Sequence, residues 1–404
     1  MSAESPRPLP EHPNLRYLKD QAKAMLKAGQ AVSLAEAQRE IARLYGFASW
    51  AKLKSKVEEK NLDKAVIDLK QAIDSNDLER VKQLITQKPA LHRAPIGYNK
   101  NGPLTWVAEC RVPWEPPSRT RLAMAQWMID NGSDVHQGGD GPLMRAALVD
   151  SRVPMMDLLV RNGADVNAEW NGDFPIILAP CETLEPASLQ WLLDHGANPE
   201  CARAGRKHPD SALDYVIGTY SRSKNLAQCI DILLKAGCST RRNLPAVLEI
   251  LRGRTDRLGE LLEADSALAN KRFEELDFGN SGSRRLTLRG GTLLHVAAEY
   301  GNVEAMKLLL ERGAKVNARA ELDESGVGGQ TAIFHAASQF SDFGLPVVEF
   351  LVNHGADLSV SARLPGHYER PEEIVECTPL EYAQLFPGEE NKTVAFLRRA
   401  QLAR

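Results

Sequence analysis

The chain has 404 residues, 43 % apolar and 6 % aromatic, with a formal net charge of −3. That charge offers no global attraction for nucleic acid or an anionic surface, and no run of about 18 apolar residues exists to span a bilayer. Cys110, Cys181, Cys201, Cys229, Cys238 and Cys377 are scattered without a C-x-x-C pair, so they read as reduced thiols. Residues 1–13, MSAESPRPLPEHP, are polar and proline-rich with no apolar signal region. They read as a disordered tail, and a cytoplasmic location is expected by default.

Residues 14–60 read as a helical N-terminal module. Leu15, Leu18, Ala22, Met25 and Leu26 share one helix face, which ends at Gly29. Ser33 caps the next helix, with Glu36 at the capping-box position, and Ser49 caps a third that turns Trp50, Leu53 and Val57 inward. The L-K-x-Q-A-K of 18–23 and the Y-G-F-x-S-W of 45–50 resemble a short helical module found at the N-terminus of various bacterial proteins. That resemblance implies no activity. The module surface is basic, with Arg16, Lys19, Lys23, Lys27, Arg39, Arg43, Lys52, Lys54, Lys56 and Lys60 outnumbering the acids. The plain reading is a solvated helical surface. Contact with nucleic acid or an anionic surface is the alternative, and it requires these bases to cluster on one face.

From residue 61 to 404, helix pairs recur. The clearest is 291–317, GTLLHVAAEYGNVEAMKLLLERGAKVN. Leu293, Leu294, Ala297 and Ala298 face one way on a short helix stopped at Gly301. Val303, Met306, Leu309 and Leu310 mark a second helix closed by Gly313, where positive φ is wanted. Thr292, Leu294, His295 and Ala297 match the T-P-L-H-x-A signature, and Gly313, Ala314 and Asn317 match the closing G-A-x-x-N. This unit resembles the ankyrin repeat. Closing glycines recur at 132, 163 and 196, at intervals of 31 and 33 residues, and again at 237, 313 and 355. The longer intervals carry their excess in loops. The fold expected is all-α: an ankyrin-repeat solenoid of about nine helix pairs with β-like fingers, after the small N-terminal module.

In such a stack, small pairs on the first helices (Ala146-Ala147, Ala297-Ala298, Ala336-Ala337) let neighbours approach closely. Leucine-rich pairs on the second helices (Leu158-Leu159, Leu192-Leu193, Leu233-Leu234, Leu309-Leu310, Phe350-Leu351) fill the layers between repeats. Long insertions fall at 271–290, 320–329 and 361–376. Each is expected as an extended hairpin or a loose loop, and the Gly and Ser content of the first two favours mobility.

No catalytic constellation is evident, and no cofactor or metal is expected. There is no H-E-x-x-H, no zinc spacing of Cys and His, and the GNSGS of 279–283 lacks the G-K-[ST] ending of a P-loop. The resemblance makes His295 a structural residue of the turn. His195 and His354 are expected at helix C-termini, where a cation is favoured. Asn391-Lys392-Thr393 is a glycosylation sequon that matters only on export.

The resemblance also implies which side chains look into the concave groove. These are Trp106, Glu109 and Cys110; Arg145, Leu148 and Val149; Leu178; Tyr215; Val296, Glu299 and Tyr300; His335 and Gln339; and Tyr382. The rings at 106, 215, 300 and 382 suit a partner interface, or pack against long fingers of the same chain. The expected function is a non-enzymatic, monomeric scaffold that binds a protein partner through groove and fingers. Nucleic acid is not the expected partner. A second alternative is an enzyme or small-molecule receptor with a site between fingers, where Trp114, Arg119, Tyr368, Glu372 and Glu373 would converge.

Overall fold

The computed structural model describes residues 7–10, 13–31, 33–61, 63–96, 101–110, 115–201, 211–241, 244–279, 284–367, 373–386 and 391–402. Two compact units result. One comprises Met1–Ala146 with Pro154–Ala164, the other Ala147–Val153 with Asp165–Arg404.

The first unit opens with α1 (Leu15–Lys27), α2 (Leu34–Leu44) and α3 (Trp50–Lys60). Asn14 caps α1 by accepting from the Arg16 and Tyr17 amides, and Ser33 caps α2 by accepting from Glu36. The three helices close around Leu18, Ala22, Ala37, Ile41, Leu53 and Val57. Leu26, expected on the inner face, is 38 % exposed at the end of α1. The tail departs from its expected looseness at the residues described. Leu9 packs on the module core, the Arg7 amide donates to the Leu44 carbonyl at 2.8 Å, and Asn61 donates to the Pro13 carbonyl at 2.7 Å. The apolar Leu9 supplies the anchor that the polar composition hid. Residues 1–6 and 11–12 lie outside the described residues. Several basic residues of the module pair with acids on their own helices, Lys23 with Asp20, Arg43 with Glu40 and Lys54 with Glu58.

Helix pairs follow: α4 (Lys64–Asp74) with α5 (Leu78–Gln87), α6 (Pro103–Ala108) with α7 (Arg119–Asp130), and then α8 (Gln137–Ala147) and α9 (Val153–Arg161). Gly138, Gly139 and Asp140 hold positive φ at the start of α8, so its regular part begins after them.

The second unit holds the remaining pairs: α10 (Leu178–Thr183) and α11 (Pro186–Asp194), α12 (Ala212–Gly218) and α13 (Leu226–Lys235), α14 (Pro245–Leu251) and α15 (Thr255–Ala264). Then come α16 (Leu293–Glu299) and α17 (Val303–Glu311), α18 (Ala332–Ala337) and α19 (Leu345–Asn353), α20 (Pro379–Ala383) and α21 (Lys392–Leu402). First helices stack on first helices, α14 on α16 on α18 on α20, and second helices on second helices, α15 on α17 on α19 on α21. Ala297, Ala298, Ala336 and Ala337 are buried at the first contact, because a methyl group is all the spacing admits. In each pair of large side chains on the second helices, one member is buried (Leu159, Leu192, Leu233, Leu309, Leu351) and its neighbour is half-buried. Adjacent helix positions lie about 100° apart, so only one can point fully into the layer.

Gly313 sits at φ 86° and closes α17, letting the Ala314 amide reach the Leu309 carbonyl at 2.9 Å.

The fingers are paired, not loose. β1 (Glu169–Trp170) runs antiparallel to β2 (Phe174–Pro175), and β3 (Ala362–Pro365) antiparallel to β4 (Ile374–Cys377). Single bridges join Phe273 to Gly291, Leu322 to Gly328, Gly328 to Arg363, and Arg284 to His367. The 273–291, 320–330 and 362–377 fingers thus lean edge to edge. The mobility expected from Gly and Ser is offset in the first of them by a buried face: Phe273, Leu276, Phe278, Leu286 and Leu288. The tip at 280–283, which holds most of the GNSGS stretch, lies outside the described residues.

Candidate functional site

The groove positions divide between the two units. In the first, Trp106 is 8 % exposed; its Nε1–H donates to Asp74 Oδ1 at 2.7 Å, and Lys70 Nζ stands 4.9 Å from the ring centre. Cys110 is buried at positive φ. Glu109 and Arg145 are half-buried, with Arg145 Nη2 4.0 Å from Glu109 Oε1.

The other positions lie in the second unit. Leu178 is buried and Leu148 and Val149 are half-buried. Tyr215 stands edge-on to Phe174 at 6.1 Å, and its hydroxyl donates to Glu182 Oε2 at 3.3 Å. Tyr220, not singled out by the sequence, donates to Glu182 Oε1 at 2.7 Å; burial, then Glu182, pushes its phenol up to about 12. Tyr300 donates to the Ile217 carbonyl at 3.0 Å and carries the Arg222 guanidinium 4.4 Å above its ring.

The rest of this set was expected to face a wet groove. Instead Val296, Glu299, His335, Gln339 and Tyr382 are buried. Over Glu299 and His335 the cover is the 273–291 finger, whose Arg284 reaches both. Its residues alternate: Arg284, Leu286 and Leu288 turn inward, while Arg285 and Arg289 stay exposed. Arg284 is fully buried and pairs with Glu299; its Nη1 donates to the His335 carbonyl at 3.0 Å and to Ser338 Oγ at 2.8 Å.

Glu299 is the hub. Its Oε1 accepts from Arg284, from Arg222 Nη2 at 2.6 Å and from Gln339 Nε2 at 2.9 Å, and its Oε2 meets His335 Nδ1 at 2.9 Å. Burial alone would raise this carboxyl. Arg284, Arg222 and the His335 contact outweigh it and hold the group at about 2. Burial depresses His335 against the pull of Glu299, so it stays neutral and donates from Nδ1. Tyr382 closes the far side, donating to the Pro365 carbonyl at 3.0 Å. A buried, multiply bonded carboxylate with two guanidiniums is a clasp. It fixes the finger to the helices and presents no reactive atom to solvent.

Sequence reasoning missed Arg222 and Arg284. The inward alternation of Arg284, Leu286 and Leu288 was the available signal for the second, whereas Arg222 lies in a turn 77 positions before Glu299, with no local mark. His295 fills its implied role. Its Nδ1 accepts from the Thr292 amide at 3.0 Å, and its Nε2 reaches the Gln330 carbonyl of the next unit at 3.1 Å. Burial, with His335 nearby, brings it down to about 3.

Among the residues of the receptor alternative, Trp114, Tyr368 and Glu372 lie outside the described residues, and Arg119 and Glu373 fall in different units. Among the described residues, no group of three or more His, Cys, Asp or Glu is placed to hold a metal, and no helix is long and apolar enough to cross a membrane. Burial raises Cys229 and Cys377 to about 12.

Comparison with known proteins agrees with this geometry. A family model of ankyrin repeats matches three copies over residues 219–362, the span holding Glu299, His335 and Gln339. No curated protein matches the sequence. Among solved structures, the human ASB11 ankyrin repeat domain is similar at 21 % identity. The alignment covers 64 % of this chain and 97 % of that one at a TM-score of 0.33, too slight a likeness to carry detail across. Ankyrin repeats generally mediate contact between proteins, and proteins built on them are typically non-enzymatic scaffolds. With its His295-capped first helix, its glycine-closed second helices and the matched span, this chain carries ankyrin repeats over residues 219–362.

Proposed function

We propose that the chain is a monomeric, non-enzymatic scaffold that holds a protein partner on its finger edges and on the half-open members of the first-helix face. The observation that carries this reading is the exposure of large apolar side chains at the finger tips, Leu322 at 63 % and Ile374 at 41 %, above bases that are buried. Phe340, in the turn between α18 and α19, adds an exposed ring. Of the groove residues, Tyr215 and Tyr300 in one unit, and Glu109 and Arg145 in the other, keep accessible surface and take part in contact. Val296, Glu299, His335, Gln339 and Tyr382 support the partner surface from beneath. The N-terminal module, residues 14–60, closes its own core and serves as a separate piece ahead of the repeats at 61–404. A cytoplasmic location fits the free thiols of Cys181, Cys229, Cys238 and Cys377.

The test compares the parent with a Leu322→Ser/Ile374→Ser chain and a Phe340→Ser chain. Each is expressed in its native cell, crosslinked, recovered and quantified by mass spectrometry. At least one crosslinked protein is expected to be lost from a variant whose circular dichroism and melting match the parent. Identical sets from all three chains refute the finger-edge reading.

A further inference from the structure

We propose that the fingers of the second unit form a pocket for the alkyl cation of a partner's basic side chain. The pocket lies where the 273–291, 320–330 and 362–377 fingers lean together, and encloses about 180 Å³. Its lining is mixed, with Leu286, Val327, Leu364 and Pro365 supplying an apolar wall. Glu274, Glu321 and Asp323 also line it, against one cation, Arg289. Glu274 and Glu321 are exposed and have no ion-pair partner among the described residues. Asp323 Oδ1 accepts from the Ser325 and Val327 amides and so holds the 320–330 turn in shape.

A second observation is independent of those acids. Gln330 lines the same pocket and is 3 % exposed. Its Nε2 donates to the Thr287 carbonyl at 3.4 Å, while its Oε1, buried, has no hydrogen-bond partner among the described residues. A buried acceptor calls for a donor. The combination of an apolar wall, an excess of carboxylates and a buried acceptor without a partner selects a ligand with a short alkyl stem and a cationic head rich in N–H. A guanidinium or an ammonium on such a stem has this form and offers donors only. A metal ion is disfavoured because the carboxylates do not converge among the described residues.

This names the partner chemistry of the scaffold reading and rests on that reading only for the source of the side chain. The pocket itself is testable without a partner. n-Butylguanidinium and n-butylammonium are titrated into the intact chain and followed by saturation-transfer NMR, with neutral n-butylurea as the isosteric control. Saturable binding of a cation is expected, weakened by salt, and at least about fivefold tighter than that of the urea. The tighter of the two heads assigns arginine or lysine. Glu321→Gln, an exposed substitution, and Gln330→Met, which keeps the shape and removes the acceptor, are each expected to weaken the cation several-fold with circular dichroism unchanged. If Gln330→Met misfolds, the Glu321→Gln and urea arms decide. Absence of saturable cation binding overturns the proposal, as does urea binding equal to the cations, or undiminished binding by Glu321→Gln. A cation that binds while the crosslinked partner sets stay identical refutes the scaffold reading and leaves the pocket standing.

Discussion

Glu299→Gln tests the clasp most directly. The change keeps the volume of the side chain and removes the one charge that faces both Arg222 and Arg284. The structure sets the magnitude. The carboxyl lies at about 2 against an ordinary 4.5, and at about 1.4 kcal/mol per pH unit that difference is about 3 kcal/mol. Breaking a buried pair by removing one partner gives the same scale, about 3–5 kcal/mol, because the surviving charges stay buried. Since the folded value lies below the unfolded one, this stabilisation is whole above about pH 4.5. It is lost as the pH falls toward 2. An array of repeats need not melt as one unit, so local opening is the quantity to measure. At neutral pH, the amides of α16 and α18 are expected to exchange roughly 100-fold faster in the variant, while those of α1 do not change. Below pH 4.5 the parent is expected to loosen more steeply than the variant, which keeps only the slope that its buried histidines impose. Parent-like exchange of α16 and α18 in Glu299→Gln at neutral pH would refute the clasp.

Four further outcomes follow from single positions. Leu309→Ala empties a fully buried position between repeats and is expected to cost about 2–5 kcal/mol, read as a lower denaturant midpoint. Gly313→Ala has open space for its methyl group but sits at φ 86°, and is expected to cost about 1–2 kcal/mol. Gly290→Ala should cost more by the same assay, because its Cβ would stand 2.7 Å from Glu321 Cβ where two fingers meet. His295 is held neutral by burial, so below about pH 6.5 the unfolded chain takes up a proton that the folded one refuses. Stability of the α16–α18 region is expected to fall by about 1.4 kcal/mol per pH unit toward pH 3, with a flatter slope in His295→Gln.

The helix pairs were legible because their signals are local. Thr292, His295, the Ala297-Ala298 pair, Leu309 and Gly313 lie within one unit and each has a short-range physical job. The placement of the fingers was not local. Composition marks 279–283 as Gly- and Ser-rich, yet the strand that follows alternates Arg284, Leu286 and Leu288 inward, and two apolar residues on one face are enough to seat it on the helices. A position on a first helix therefore states which way a side chain points, not whether that side stays open. Glu299 and Tyr300 are neighbours at the end of α16, and the finger buries the first and leaves the second half-exposed. The length and pattern of the insertion decide which groove residues remain for a partner. By the same logic, the insertions create surface that no single repeat encodes: Leu286, Glu321 and Leu364 come from separate stretches and meet only because three fingers lean together.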